Sequence, residues 1–337
     1  MPTIFILGFL FGAILQYAKL NKYDTISGLA ILKNLAVAKA ILMAIGVGAI
    51  LLSIEIGLGF ASYHTKPLIL GGIMLGGLIF GTGMAILGYC PGTLPVSLGE
   101  GSLDALIGIL GGLVAGLVFT ILLPSIHGIL GPDFGDITLK SLFGGNLILF
   151  FVLVFIISGI FIALSFWLHR IEKVKDLKWL FAGIGIAILN AIVFLTIVTD
   201  RLLGASTAYP YIGDLLTGTT SNDYFSKIKG PGQWELIFLA GSFFSGVVLS
   251  LIRRDFKLVL IHQNWKKYKG DSKYKRIIWS FVGGFLIIIG SRMAGGCTSG
   301  HIISGGMQLA ASSLLFAFFV FTGLLVTGRL FYRTDKD

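Results

Sequence analysis

Charged residues are so sparse along this chain that uncharged runs, more than helical periodicity, dictate its secondary structure. Five stretches contain no Asp, Glu, Lys or Arg: 67–99, 105–132, 141–168, 179–199 and 293–328. A helix of about 20 apolar residues crosses the hydrocarbon core of a bilayer, and each run is long enough. The pattern predicts nine spans, near 3–18, 34–56, 68–88, 102–124, 143–168, 178–198, 235–252, 277–293 and 308–331. The expected fold class is an all-α integral membrane protein of about nine transmembrane helices. The first segment has no basic n-region and no A-x-A-like cleavage site, and reads as a retained helix and not a signal peptide.

Two of the runs exceed what one helix requires. The run 67–99 is broken by Gly88, Tyr89, Cys90, Pro91, Gly92 and Thr93, and the run 293–328 opens with Gly295, Gly296, Cys297, Thr298, Ser299, Gly300 and His301. Glycine and proline end a helix there, yet nothing nearby is polar enough for a solvated loop. A helix that stops within the membrane, followed by a re-entrant segment, fits both places. Such backbone is tolerated only where protein buries it or a polar cavity meets it.

The two long runs also repeat one another. A shift of 207 positions carries Gly76, Gly77, Gly83, Gly88, Cys90, Ser97, Gly99 and Gly116 onto Gly283, Gly284, Gly290, Gly295, Cys297, Ser304, Gly306 and Gly323. A weaker match upstream aligns Lys22 and Ser27 with Arg201 and Ser206. The expected organisation is a first repeat at 1–125, a linker with the fifth span at 126–177 and a second repeat at 178–337. Four spans and a linker span place the second repeat upside down, as in many transporters whose site lies at the repeat interface.

Composition agrees: 55% of residues are hydrophobic and 12% charged, about half the charge of a soluble domain. The net charge of +10 does not indicate nucleic acid, because the cations sit in loops between apolar runs. Nineteen lie on one side: Lys19, Lys22, Lys33, Arg170, Lys173, Lys175, Lys178, nine within 253–276, Arg329, Arg333 and Lys336. Five lie on the other: Lys66, Lys140, Arg201, Lys227 and Lys229. The positive-inside rule then predicts a multi-pass plasma-membrane protein with its N-terminus outside and its C-terminus cytoplasmic. Cys90 would dip in from the cytoplasmic face and Cys297 from the outer face.

The chain has only two cysteines, so no disulfide framework is expected. Each stands where a broken helix can restart. Pro91 suits the first position of a helix, while Thr298 and Ser299 can satisfy free N–H groups. A helix N-terminus attracts anions and lowers a thiol pKa. Two such ends facing each other would place thiols on the path of an anionic or sulfur-containing solute. Arg292 is expected either to draw a dianion into the outer vestibule or to snorkel. His301 could donate to the solute or pair weakly with Cys297, but two cysteines and one histidine are poor material for zinc, and no metal site is expected. Lys39 reads as snorkelling, Glu55 as interfacial, and Asn190 as a helix–helix or pore residue. Ser102 and Asp104 read as ordinary capping, and 253–276 as a solvated cytoplasmic linker. No Walker A, HExxH or CxxC pattern occurs, so no nucleotide or other cofactor is expected.

The GYCPGT segment at 88–93 and the segment RMAGGCTSGH at 292–301 resemble the YeeE/YedE family of sulfur-transport membrane proteins. The resemblance covers both repeats. It implies uptake of thiosulfate or a related sulfur anion, with the thiols of Cys90 and Cys297 meeting the solute through S–H···S hydrogen bonds, and with a small cytoplasmic sulfurtransferase as a possible partner. Tyr89, Pro91, Gly92, Thr93, Arg292, Gly296, Thr298, Ser299, Gly300, His301 and Ser206 are then candidate path residues. Thiosulfate-transporting relatives have a further cysteine in the first repeat; here Thr25 or Ser27 would stand in for it. Three classes of function remain open to the sequence. They are a transporter of a sulfur or selenium compound, a membrane thiol enzyme moving sulfane sulfur or electrons between Cys90 and Cys297, and a structural subunit whose cysteines only pack.

Overall fold

The computed structural model describes residues 1–172 and 175–333. Lys173 and Lys336, two of the cations used to orient the chain, lie outside the described residues. The protein is all-α: among the described residues backbone pairing outside helices is confined to isolated bridges such as Ser102 with Val259. The helices are α1 (Pro2–Tyr17), α2 (Tyr23–Ala30), α3 (Ala36–Gly57), α4 (Leu70–Leu87), α5 (Thr93–Gly99), α6 (Leu103–Ile126) and α7 (Leu139–Phe143). They continue with α8 (Leu147–Ile171), α9 (Lys178–Phe194), α10 (Ala208–Thr217), α11 (Asp223–Ile252), α12 (Gln263–Lys269), α13 (Lys273–Met293) and α14 (Ala311–Phe331). A π-helical segment covers Thr298–Gly305. Among the described residues seven helices are long and apolar enough to cross a membrane, and α1 and α9 are shorter apolar helices in the same bundle.

Each predicted span has a helix at its place. The largest departure is α11, which begins twelve residues before 235. The helix runs through Gly230, Pro231 and Gly232. Asn222 caps it by accepting the Phe225 N–H at 2.7 Å, and Phe225 stacks on Tyr211 with ring centroids 5.8 Å apart. That tertiary anchorage overrides the lost proline N–H. The short helices α2, α7, α10 and α12 occupy stretches that the apolar pattern left as connections.

The helices approach closely because glycine lines their contacts. A Cβ added to Gly76 would lie 2.6 Å from the Gly290 carbonyl and 2.9 Å from the Ala294 nitrogen, and one on Gly290 would lie 2.5 Å from both Gly76 O and Phe80 N. Gly83 meets Ile287 and Gly283 meets Leu87 at similar distances. Residue numbers rise along α4 as they fall along α13, so the two helices cross antiparallel. Around this crossing α14 packs on α4 and α6 on α13, while α11 packs on α1 and α3 on α9. The helix α8 packs on α3 and is the least buried of the long helices. Its exposed Ile148, Val152, Phe155 and Ile160 suit contact with lipid tails.

The α4–α13 contact yields a direct expectation. Gly290→Val collapses the yield of folded protein in size-exclusion chromatography, because two backbone atoms of α4 lie 2.5 Å from the added Cβ and only separation of the two helices would free it. Gly159→Val in α8, where nothing lies within 4 Å of the new Cβ, leaves the yield near wild type. Equal yields would show that the crossing tolerates separation.

Candidate functional site

Both cysteines follow helices that stop in a left-handed glycine. Gly88 has φ +78° and Gly295 φ +76°, a conformation that costs glycine nothing and other residues more. The carbonyls freed at each helix end find a dedicated donor. At the end of α4, Arg276 donates to Ile86 O at 3.2 Å and to Leu87 O at 2.8 Å. At the end of α13, His301 Nε2 lies 2.7 Å from Ala294 O, and its Nδ1 lies 3.0 Å from the Ser313 hydroxyl. A carbonyl only accepts, so Nε2 carries a proton in this contact. His301 is fully buried with both nitrogens occupied. In this structure both ring nitrogens are engaged within the protein, and His301 holds the broken end of α13.

Local hydrogen bonds shape the two thiol turns. Thr93 Oγ1 accepts the Cys90 N–H at 2.8 Å and donates to Cys90 O at 3.0 Å. Helix α5 starts at Thr93, with Gly92 as its N-cap. Pro91 therefore lies before the helix and is not its first residue, and its carbonyl accepts from the Tyr209 hydroxyl at 3.2 Å. Cys297 caps the π segment and has its Sγ 3.3 Å from Ser299 Oγ. Gly296 donates its N–H to Ser291 O at 2.8 Å, and Gly300 lies beside Leu202 and Leu203. Thr298 does not cap with its side chain; its buried hydroxyl has no partner. Ser304, held by Asn190 Oδ1 at 3.0 Å and accepting the Leu203 N–H at 3.2 Å, ties the π segment down. A cavity of about 50 Å³ is lined by Cys90, Thr93, Thr298 and Ser299 together with Phe11 and Ile26. It joins the two cysteine motifs.

Arg276 and Arg292 stand in the first and last turns of α13, about 24 Å apart along a regular helix, and they mark opposite ends of the bundle. At the Arg292 end, its guanidinium donates to Tyr224 (2.9 Å), Ser206 (3.2 Å) and Thr207 (3.0 Å). Arg292 is therefore tied to the start of α10 and does not snorkel. Beside it lies a cavity of about 300 Å³ lined by His64, Lys66, Arg201, Thr207, Trp234 and Glu235. Sequence reasoning assigned Lys66 and Arg201 only to topology and put Glu235 at a span boundary. They converge from three separate segments, which no local signal announces.

At the Arg276 end the structure corrects several expectations. Asp104 is no simple cap but is wholly buried against Arg276 (2.5 and 3.2 Å). Tyr89 and His262 join them: the Tyr89 hydroxyl lies 3.0 Å from His262 Nε2, which lies 3.1 Å from Asp104. Arg276 also stacks over Tyr23 and Trp265. Part of 253–276 is therefore a docked cap and not a free linker. Val259 pairs with the backbone at Gly101 and Leu103, and Asn264 bonds Asp24 and Ser27. Ser27 donates to Tyr23 O at 2.8 Å and is covered by this cap; Thr25 is buried on the same helix. Neither lines the cavity at Cys90. Lys39 is buried against Glu172 and Trp179 and does not snorkel.

With the geometry in place, two comparisons bear on function. The profile of a family described as Sulphur transport matches residues 23–326. A curated relative, the thiosulfate transporter TsuA of Spirochaeta thermophila, is 25% identical over 350 aligned positions, covering 98% of this chain and 99% of that protein.

Breaking the Asp104–Arg276 pair strands a buried charge. Asp104→Asn is expected to cost about 3–5 kcal/mol, read as an earlier unfolding transition in detergent. The double variant Asp104→Asn/Arg276→Met recovers part of the loss. A single variant as stable as wild type would show that the pair does not hold this end.

Proposed function

We propose that this chain, which belongs to the Sulphur transport family, carries thiosulfate or a closely related sulfur anion inward across the plasma membrane. The curated relative is named for thiosulfate transport, and its likeness spans nearly the whole chain. The single observation that carries the path is the shared cavity. Cys90 lines it together with Thr298 and Ser299, the two residues that follow Cys297. Transport of sulfur compounds requires soft contacts, and these two thiol turns offer them beside a shared cavity.

The two halves are proposed to be inverted repeats, 1–125 and 178–337, with α8 in the linker. The support is geometric. Exchanging α1 with α9, α3 with α11, α4 with α13 and α6 with α14 turns each contact among these eight helices described above into another of them; only the linker helix α8, which packs on α3, falls outside the exchange. At the centre, Gly76 against Ala294 and Gly283 against Leu87 are the same contact shifted by 207. The cysteine turns are then two re-entrant segments entering from opposite faces. With the basic end cytoplasmic, the N-terminus faces outward and the Arg292 end forms the outer mouth.

In this reading the outer cavity collects the dianion through Lys66, Arg201 and Arg292. The Cys297 thiol receives its sulfur end, the solute crosses the small cavity, and the Cys90 thiol passes it toward the cytoplasm. A thiol donates a weak S–H hydrogen bond to sulfur, so neither station holds the solute tightly. Successive weak sites favour throughput over retention. The inward gradient is maintained by cytoplasmic consumption, for which a small sulfurtransferase is the partner that the family resemblance implies.

Labelled thiosulfate uptake into proteoliposomes tests the path. Cys90→Ala and Cys297→Ala each reduce uptake to the level of empty vesicles while inserting and eluting as wild type does. Full transport by either variant would remove the thiols from the path, and a persulfide accumulating on them during turnover would favour an enzyme.

A further inference from the structure

The outer cavity holds an anion of the protein's own. Glu235 is buried, and its carboxylate accepts the backbone N–H groups of Thr207 (2.5 Å) and Ala208 (3.2 Å) at the start of α10. The ten-residue helix α10 presents these donors as anion-binding groups. Gly204 makes the seat possible, because a Cβ there would lie 2.1 Å from Glu235 Oε1. Lys66 and Arg201 line the same cavity, and Arg292 bonds the Thr207 hydroxyl. Among the described residues no carboxylate lies within 4 Å of any of these three cations. The more exposed His64 and Asp200 pair with each other.

A second observation points to a ligand. Trp234 lines the cavity at 6% exposure, and its buried indole N–H has no partner. An indole N–H only donates, and a donor buried without a partner carries a desolvation cost. Arg201, which lines the same cavity, stands over the Trp234 ring at 5.9 Å. Unpaired cations, a free N–H and a carboxylate seated on a helix N-terminus fit an oxyanion site whose best position is already taken.

We propose that the outer cavity binds a tetrahedral oxyanion and that Glu235 is its built-in competitor. The incoming dianion meets Lys66, Arg201 and the Trp234 N–H, then displaces the Glu235 carboxylate from the Thr207 and Ala208 N–H groups on its way to Cys297. Glu235 thereby keeps the mouth from retaining the anion. The carboxylate repels a bound dianion and weakens a site that three cations would otherwise make tight. This inference rests on the transport reading for its direction, and on the cavity alone for binding.

The test uses the full chain in detergent, titrated with thiosulfate and with sulfate while tryptophan fluorescence is followed, with Trp234→Phe identifying the reporter. Glu235→Gln keeps the shape and an acceptor oxygen, and Glu235→Ala removes both. Neutralisation is expected to tighten binding of both anions about tenfold, the scale for removing one like charge from a partly screened site. In proteoliposomes the uptake KM falls in parallel, and Lys66→Gln weakens binding. A role for Glu235 only in capping α10 predicts lower stability with unchanged affinity, and that result would overturn the proposal. Failure of both neutral variants to fold would equally mark the carboxylate as a structural cap and overturn it. Absence of wild-type uptake would count against the transport reading, while the fluorescence titration still decides this one: no response to either anion in any form would end it.

Discussion

The backbone-to-backbone crossing of α4 and α13 is the constraint on which the rest of the structure depends. Lipid offers helices no hydrophobic reason to associate, so close van der Waals contact has to supply the cohesion. Glycine at 76, 83, 283 and 290 lets the two backbones meet, and the ends of these helices are thereby fixed relative to each other. Those ends are where the chain turns back at Cys90 and Cys297. A crossing held one side chain further apart would separate the residues that line the small cavity between the turns.

Breaking a helix inside a bundle frees carbonyls, and the protein satisfies them differently at its two ends. Arg276 reaches across from α13 to cap α4, and its charge is then neutralised by Asp104. At the other end His301 caps α13 from within the π segment, with Ser313 and no carboxylate as its second partner. One end therefore carries a buried ion pair with Tyr89, His262 and the cap around α12 built onto it. The other keeps its cations, Lys66, Arg201 and Arg292, without carboxylate partners at ion-pair distance. On the proposed path, an anion would go from an end with an excess of positive charge toward an end where charge is locally neutralised. In the proposed two-repeat reading, that asymmetry is where a direction of transport would have to come from.

The membrane class, the places of the spanning helices and both cysteine turns were legible in the sequence, because each depends on local composition. Runs without charge longer than a bilayer demand helices, and glycine or proline inside such a run demands a break. The 207-residue register located Gly88 and Gly295, which share the left-handed conformation, from identity alone. The motif at 292–301 likewise pointed to sulfur transport before any fold was in view.

Only tertiary structure decided which charges are free. Lys39, Asp104 and Arg276 read as boundary residues, yet each is buried beside a partner far away in sequence: Glu172 for Lys39, and Asp104 and Arg276 for each other. Conversely Lys66, Arg201 and Glu235 looked like ordinary residues near span ends, and they meet in one cavity. The reason is physical. Hydrophobicity and backbone preference are properties of a short segment and can be read along it. Whether a charge is paired, stranded or available to a solute is a property of the space around it, which forms only when the helices cross.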